Sequence, residues 1–128
     1  VNIMSRIRTY DQFIDKNNVK VVVNHHGDAL YFSREPIPSP WRGLEGVPMY
    51  MQTGIMAFRH DVLLRFNKMA ETRLEQIESV DMNRVLETGG RIRMVLTEAV
   101  TIGVDTAAEL NDAERMMLTD PTMGKYIS

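Results

Sequence analysis

Four of this chain's five prolines stand at positions 36, 38, 40 and 48. Proline locks φ and has no N–H to give a ladder. Residues 35–48 can therefore be neither helix interior nor central strand, and an extended connection must run there. Residues 19–23 read Val-Lys-Val-Val-Val, a β-branched, strand-prone run. The polar turn His25-His26-Gly27-Asp28 follows, and Ala29, Leu30, Tyr31, Phe32 and Ser33 read as the returning strand of a β-hairpin.

Beyond the prolines, residues 49–58 are nearly continuously apolar, which predicts a strand buried on both faces with Gly54 allowing a close approach. Residues 61–69 read as a short helix with Val62, Leu63 and Phe66 on one side. Residues 74–87 read as one stronger helix, with Leu74, Ile77 and Val85 near the helical period and Gly89-Gly90 stopping it. Residues 91–97 begin with the alternation of a strand that has one solvated face. Thr106 and Glu109 fit a capping box, and Leu110, Ala113 and Met117 mark the buried stripe of a last helix. Strands and helices alternate after Ala57. The expected fold class is α/β: a partial mixed sheet with flanking helices and an early hairpin, in a single domain over 1–128.

A chain of 128 residues can bury one core. Its 15 basic and 17 acidic residues leave a net charge of −2. No basic field therefore points to nucleic acid or to an anionic membrane surface. No run approaches the ~18 apolar residues of a membrane span. The absence of cysteine removes disulfides, thiolate nucleophiles and cysteine–zinc sites, and fits a cytoplasmic location. The chain opens on Val1 with no signal-peptide core. Processing, an unusual start codon or a chain cut from something longer would each account for that start.

Few residues point to chemistry by type and spacing. There is no phosphate-cradling glycine loop, and His25, His26 and His60 lack metal-ligand spacing; the histidine pair reads as a solvated hairpin tip. On a single helix over 74–87, Asp81 would share the face of Leu74, Ile77 and Val85. A carboxylate on such a face needs a partner or a ligand, unless that face lies nearer solvent. Glu78 precedes it by about one turn, as a solvated carboxylate or a second polar contact. Asp105 precedes the capping Thr106 at an expected strand end, where α/β sheets bind ligands. It could hold Mg²⁺ through oxygen or simply complement a helix dipole. Arg34 leads into the proline segment and suits carboxylate or phosphate recognition, or an ion pair with Glu35. Arg42 could serve similarly. Trp41 and Tyr50 would cover a ligand or pack the long loop.

Longer words are more specific. Residues 29–38, Ala-Leu-Tyr-Phe-Ser-Arg-Glu-Pro-Ile-Pro, resemble a signature of the 3-deoxy-manno-octulosonate (Kdo) cytidylyltransferases. Residues 53–59 resemble that family's Gly-Ile-Tyr-Ala-Tyr-Arg strand. Residues 74–78 resemble its Leu-Glu-x-Ile-Glu helix start, and residues 104–110 its Val-Asp-Thr-Pro-Glu-Asp-Leu. The resemblance implies the C-terminal half of a nucleotide-diphospho-sugar-transferase-like fold, with the N-terminal nucleotide-binding half absent. It implies transfer of CMP from CTP to a 3-deoxy sugar acid, with Mg²⁺ at Asp105 and sugar-acid contacts at Arg34, Gln52 and Asp81; Glu78, one helical turn before Asp81, is a secondary candidate for such a contact. It also implies a homodimer paired through the proline segment and the following strand. No catalytic residue is assigned to this chain, because the family's phosphate-holding loop is not in it.

Two departures from the family stand out. Gln52 replaces a histidine, and Asp81-Met82 replaces Glu-Gln, at places that face the sugar in the family. Together they imply a modified sugar acid, such as an amino-substituted octulosonate or a more distant nonulosonate. Two function classes follow: the sugar-acid-binding and dimer-forming portion of a cytidylyltransferase, inactive alone, or a stand-alone, non-enzymatic binding or assembly module derived from one.

Overall fold

The structure, a computed structural model, describes residues 1–99, 102–104 and 106–123. The chain enters on β1 (Asn2–Arg6) and turns through α1 (Tyr10–Ile14) into the hairpin β2 (Lys20–Val23) and β3 (Ala29–Ser33). It crosses the proline segment to β4 (Tyr50–Met56), then forms α2 (His60–Phe66), α3 (Arg73–Glu78), α4 (Met82–Glu87), β5 (Met94–Thr97) and α5 (Ala107–Thr119). The five strands make one mixed sheet in the order β3-β2-β4-β1-β5. Only β1 and β5 run parallel.

The hairpin stands as its residues predict. Val21 faces Phe32 and Lys20 faces Ser33 across the ladder. Asn24 Oδ1 closes the turn by accepting the N–H of His26 at 2.9 Å and of Asp28 at 3.0 Å. The segment carrying the four prolines forms neither helix nor strand. β1 and α1 were not anticipated. Their signal is masked by polar residues that are nonetheless buried: Asn2 is fully buried and Ser5 nearly so, with Met4 between them. α1 is capped by Thr9, whose hydroxyl accepts from the Gln12 N–H at 3.2 Å.

Three expectations are corrected. First, β4 is not buried on both faces; none of its residues is fully buried. β2 pairs with it only near Tyr50 and Met51. Gly54 makes no close approach, since a Cβ there would meet nothing within 4 Å. Its φ of +80° is what calls for glycine. Second, residues 74–87 are two helices. Ser79, at φ 53° and ψ 47°, breaks the chain between them. The presumed apolar face is thereby rotated apart: Ile77 is 65% exposed and Asp81 is exposed, while Val80 and Met82 enter the core. Third, α5 has its capping box, but its apolar stripe is not buried. Leu110 and Met117 are exposed and Ala113 is half-buried, because none of the described elements covers that face.

The core sits between one sheet face and the α3–α4 turn. Met4, Val19, Val21, Ala29, Phe32, Val80, Met82, Ile92 and Met94 form it. Residues 91–94 alternate as expected, with Ile92 and Met94 buried and Arg91 and Arg93 exposed. Arg93 Nε donates to the buried Asp28 at 2.7 Å, so the hairpin turn is locked to the start of β5.

Candidate functional site

The end of β3 is held by a carboxylate from α3. The Tyr31 hydroxyl and Ser33 Oγ each donate to Glu78 Oε1 at 2.9 Å, and the Arg34 N–H donates to Oε2 at 2.9 Å. Burial alone would raise the Glu78 pKa, but these hydrogen bonds outweigh it and hold the carboxyl below its ordinary range. The same burial and the bond to Glu78 push the Tyr31 phenol up to about 12.

Arg34 is turned the other way. Its guanidinium donates to the carbonyls of Glu78 (2.9 Å), Ser79 (3.1 Å) and Lys16 (2.9 Å). The ion pair with Glu35 does not form; Glu35 pairs with Lys16 at 2.6 Å. Lys20 is fully buried, and its Nζ donates to the carbonyls of Arg34 and Asp15. Desolvation lowers its pKa. Lys20, Arg34 and Glu78 thus fix the entry to the proline segment against α1 and α3.

Gln52 stands at the same end of the sheet, one residue beyond the Lys20–Met51 pair. Its Oε1 accepts from Asn2 Nδ2 at 3.1 Å, which leaves its amide N–H groups to donate. It lines a cavity of about 250 Å³ with Asn17, Asn18, Thr53 and Gly103. Gly103 brings the segment that leads to Asp105 to that cavity. Asp105 itself lies outside the described residues. Asp81 lines a separate groove with Glu71, Glu75 and Ser79, so the described structure does not bring Gln52 and Asp81 into one cavity. Met82 is 2% exposed, in the core. Trp41 is 89% exposed and packs no loop, whereas Tyr50 lies under the Arg6 guanidinium at 5.6 Å. Arg42 is exposed, as are His25, His26 and His60.

Among the described residues no group of three or more His, Asp or Glu side chains is placed to hold a metal ion. They do not by themselves fit the divalent cation expected at Asp105. No helix of the described residues is long and apolar enough to cross a membrane. What the site offers chemically is recognition: a pinned strand end, a neutral amide donor and a polar cavity. Sequence reasoning missed Asn83, which is 1% exposed. Its Oδ1 accepts the Phe32 N–H at 3.2 Å and its Nδ2 donates to the Phe32 carbonyl at 2.9 Å, as a neighbouring strand would.

The family model described as Cytidylyltransferase matches residues 1–94. The chain is 43% identical over 117 residues to a 3-deoxy-manno-octulosonate cytidylyltransferase of Geobacter metallireducens, covering 84% of this chain and 46% of the relative. It is 43% identical over 116 residues to the protein of that name in Flavobacterium johnsoniae, covering 91% and 48%. A solved CMP:2-keto-3-deoxy-manno-octonic acid synthetase, complexed with CTP, superposes with a TM-score of 0.82 at 38% identity, over 91% of this chain and 48% of that one. The chain belongs to the cytidylyltransferase family, and its mixed sheet with flanking helices is part of that synthetase's fold. It spans about half the length of the relatives it matches.

Proposed function

We propose that these residues form the sugar-acid side of a cytidylyltransferase. The reaction joins CMP from CTP to the anomeric hydroxyl of a 3-deoxy sugar acid: a new bond forms from that oxygen to the α-phosphorus, and pyrophosphate leaves. Mg²⁺ at Asp105, held jointly with ligands from the rest of a full-length family member, belongs to this reading. So does self-association through the proline segment, where Trp41 is exposed. The chain alone is not expected to turn over.

The observation that carries the reading is the cavity at Gln52. Gln52 lines a polar space that Gly103 also borders, its Oε1 held by Asn2, at the sheet end where Lys20, Arg34 and Glu78 fix the loops. A neutral amide, unlike a histidine, cannot become a cation and so does not repel an ammonium group. That favours an amino-substituted octulosonate. With Met82 in the core, this preference rests on Gln52 alone.

Calorimetric titration of the chain with Kdo and with its 8-amino analogue tests the proposal. The amino sugar is expected to bind more tightly, and Gln52→His to shift the preference toward plain Kdo. Tighter binding of plain Kdo by the unaltered chain overturns the amino-sugar reading. Pyrophosphate release from CTP and Kdo by the chain alone overturns the claim that it is not self-sufficient.

A further inference from the structure

The carboxyl ends of the parallel pair β1 and β5 open onto a second cavity, apart from Gln52. It measures about 60 Å³ and is lined by Ser5, Arg6, Arg8, Gln12, Thr97 and Glu98, among others. That is room for roughly four water molecules at ~15 Å³ each, the scale of one carboxylate or phosphate group. Crevices outside the carboxyl ends of parallel strands are where such sheets take ligands.

Three features of this cavity point to an anion. Ser5 and Thr97 face each other across the β1–β5 ladder and so share one face of the sheet. Ser5 is only 7% exposed, yet its Oγ has no hydrogen-bond partner among the described residues. A buried hydroxyl left unpaired costs stability unless something binds it. Two guanidinium groups, Arg6 and Arg8, border the same space but share a single carboxylate. Each lies 3.8 Å from Glu98, whose side chain is 70% exposed. Ion pairs that long and that solvated are weak and readily exchanged. Arg6 is further held over the Tyr50 ring, so its charge is placed rather than free to swing away.

We propose that this cavity is a small-oxyanion subsite: Arg6 and Arg8 supply the charge, Ser5 supplies a donor, and Glu98 occupies the mouth as a displaceable competitor. A sugar-acid carboxylate and a phosphate group share the chemistry it recognises. The inference stands apart from the Gln52 cavity and does not depend on which sugar acid the protein takes.

Amide-detected NMR titrations of the whole chain with inorganic phosphate, with acetate and with chloride at matched ionic strength test it. Expected is a saturable shift confined to Ser5, Arg6, Arg8 and Glu98 with phosphate or acetate, and none with chloride. The stronger of the two arms says which oxyanion the site prefers. Arg8→Gln should weaken binding about tenfold and Ser5→Ala about threefold, since charge-assisted bonds exceed neutral ones. Glu98→Gln should tighten it severalfold by removing the competitor. Ser5→Ala and Glu98→Gln alter neither a core side chain's bulk nor a strong pair, so the folded spectrum serves as their control. Shifts of equal size with chloride, or a Glu98→Gln variant that binds no better, overturn the proposal.

Discussion

Arg34 and Glu78 are joined twice over: the Arg34 N–H donates to the Glu78 carboxylate and the Arg34 Nε donates to the Glu78 carbonyl, each at 2.9 Å. One residue of a helix end thus fixes both the backbone and the side chain of the residue that opens the proline segment. Glu78 also holds Tyr31 and Ser33. It acts as a hub between the end of β3 and α3, and Arg34 directs its guanidinium at carbonyls to complete the same joint.

Removing the hub should therefore cost more than a surface carboxylate would. Glu78→Ala leaves the Arg34 N–H and two hydroxyls without their acceptor. Bonds to a charged group contribute about 1.5–3 kcal/mol. Glu78→Ala should lower stability by about 3 kcal/mol, and Glu78→Gln by roughly half of that. Urea unfolding checks it, with the midpoint falling and the slope unchanged. A loss under about 0.5 kcal/mol would place Glu78 among ordinary surface residues.

The same joint sets a pH dependence at both ends of the range. The Glu78 carboxyl lies below its ordinary 4.5 in the folded chain. So does that of Glu75, chiefly through its hydrogen bonds from Arg84, one of them 2.7 Å from Nε. Groups with depressed folded values stabilise fully above the unfolded value, and that contribution fades as pH falls through the folded one. Acid should therefore weaken the fold below about pH 4.5, less steeply in Glu78→Gln. Tyr31 runs the other way. Its phenol is raised from 10 to about 12, so it stabilises below pH 10 and is lost as pH rises toward 12. A phenolate absorbance titration should show a transition near pH 12 that Tyr31→Phe removes. A titration unchanged by Tyr31→Phe at that end of the range would contradict the hydrogen bond to Glu78.

Asn83 carries the clearest single-residue test. It caps Phe32 on the open side of edge strand β3, at 1% exposure. Asn83→Leu fits apolar surroundings but leaves the Phe32 N–H and carbonyl unpaired, which should cost about 3 kcal/mol. Asn83→Asp keeps the acceptor and turns a carboxylate oxygen on the carbonyl. Its stability should rise on mild acidification, when the protonated group can donate again. An Asn83→Leu variant as stable as the parent would show that Phe32 finds other partners.

What the sequence makes legible follows from how local each signal is. The hairpin is written in a β-branched run, a polar turn and a return, and the capping box at Thr106 in two residues three apart; both stand. The break at Ser79 is not legible. Leu74 and Ile77 continue their period up to it, and only a left-handed backbone, which no residue type there marks, divides the helix. That one dihedral leaves Asp81 exposed and puts Met82 in the core, so the single apolar face expected over residues 74–87 does not form. β1 hides because Asn2 and Ser5 are polar and buried, a state set by strand partners more than forty residues away. Arg34 and Glu78 are legible as important but not as partners of one another, since that contact spans the proline segment.

The break itself can be tested through Ser79. A side chain at φ 53° carries a left-handed penalty of roughly 1 kcal/mol. Glycine removes it but adds disorder to the unfolded chain worth roughly 0.5–1 kcal/mol. Ser79→Gly should therefore leave stability unchanged to within about 0.5 kcal/mol, on the stabilising side. Ser79→Val, with its stiff branched side chain, should lose about 2 kcal/mol. Because the Ser79 carbonyl accepts from Arg34 at 3.1 Å, the valine variant should also shift the Arg34 side-chain resonances, while the glycine variant should not. A valine variant as stable as the parent would mean that residues 73–87 also fold as one unbroken helix, with Asp81 back among the apolar residues.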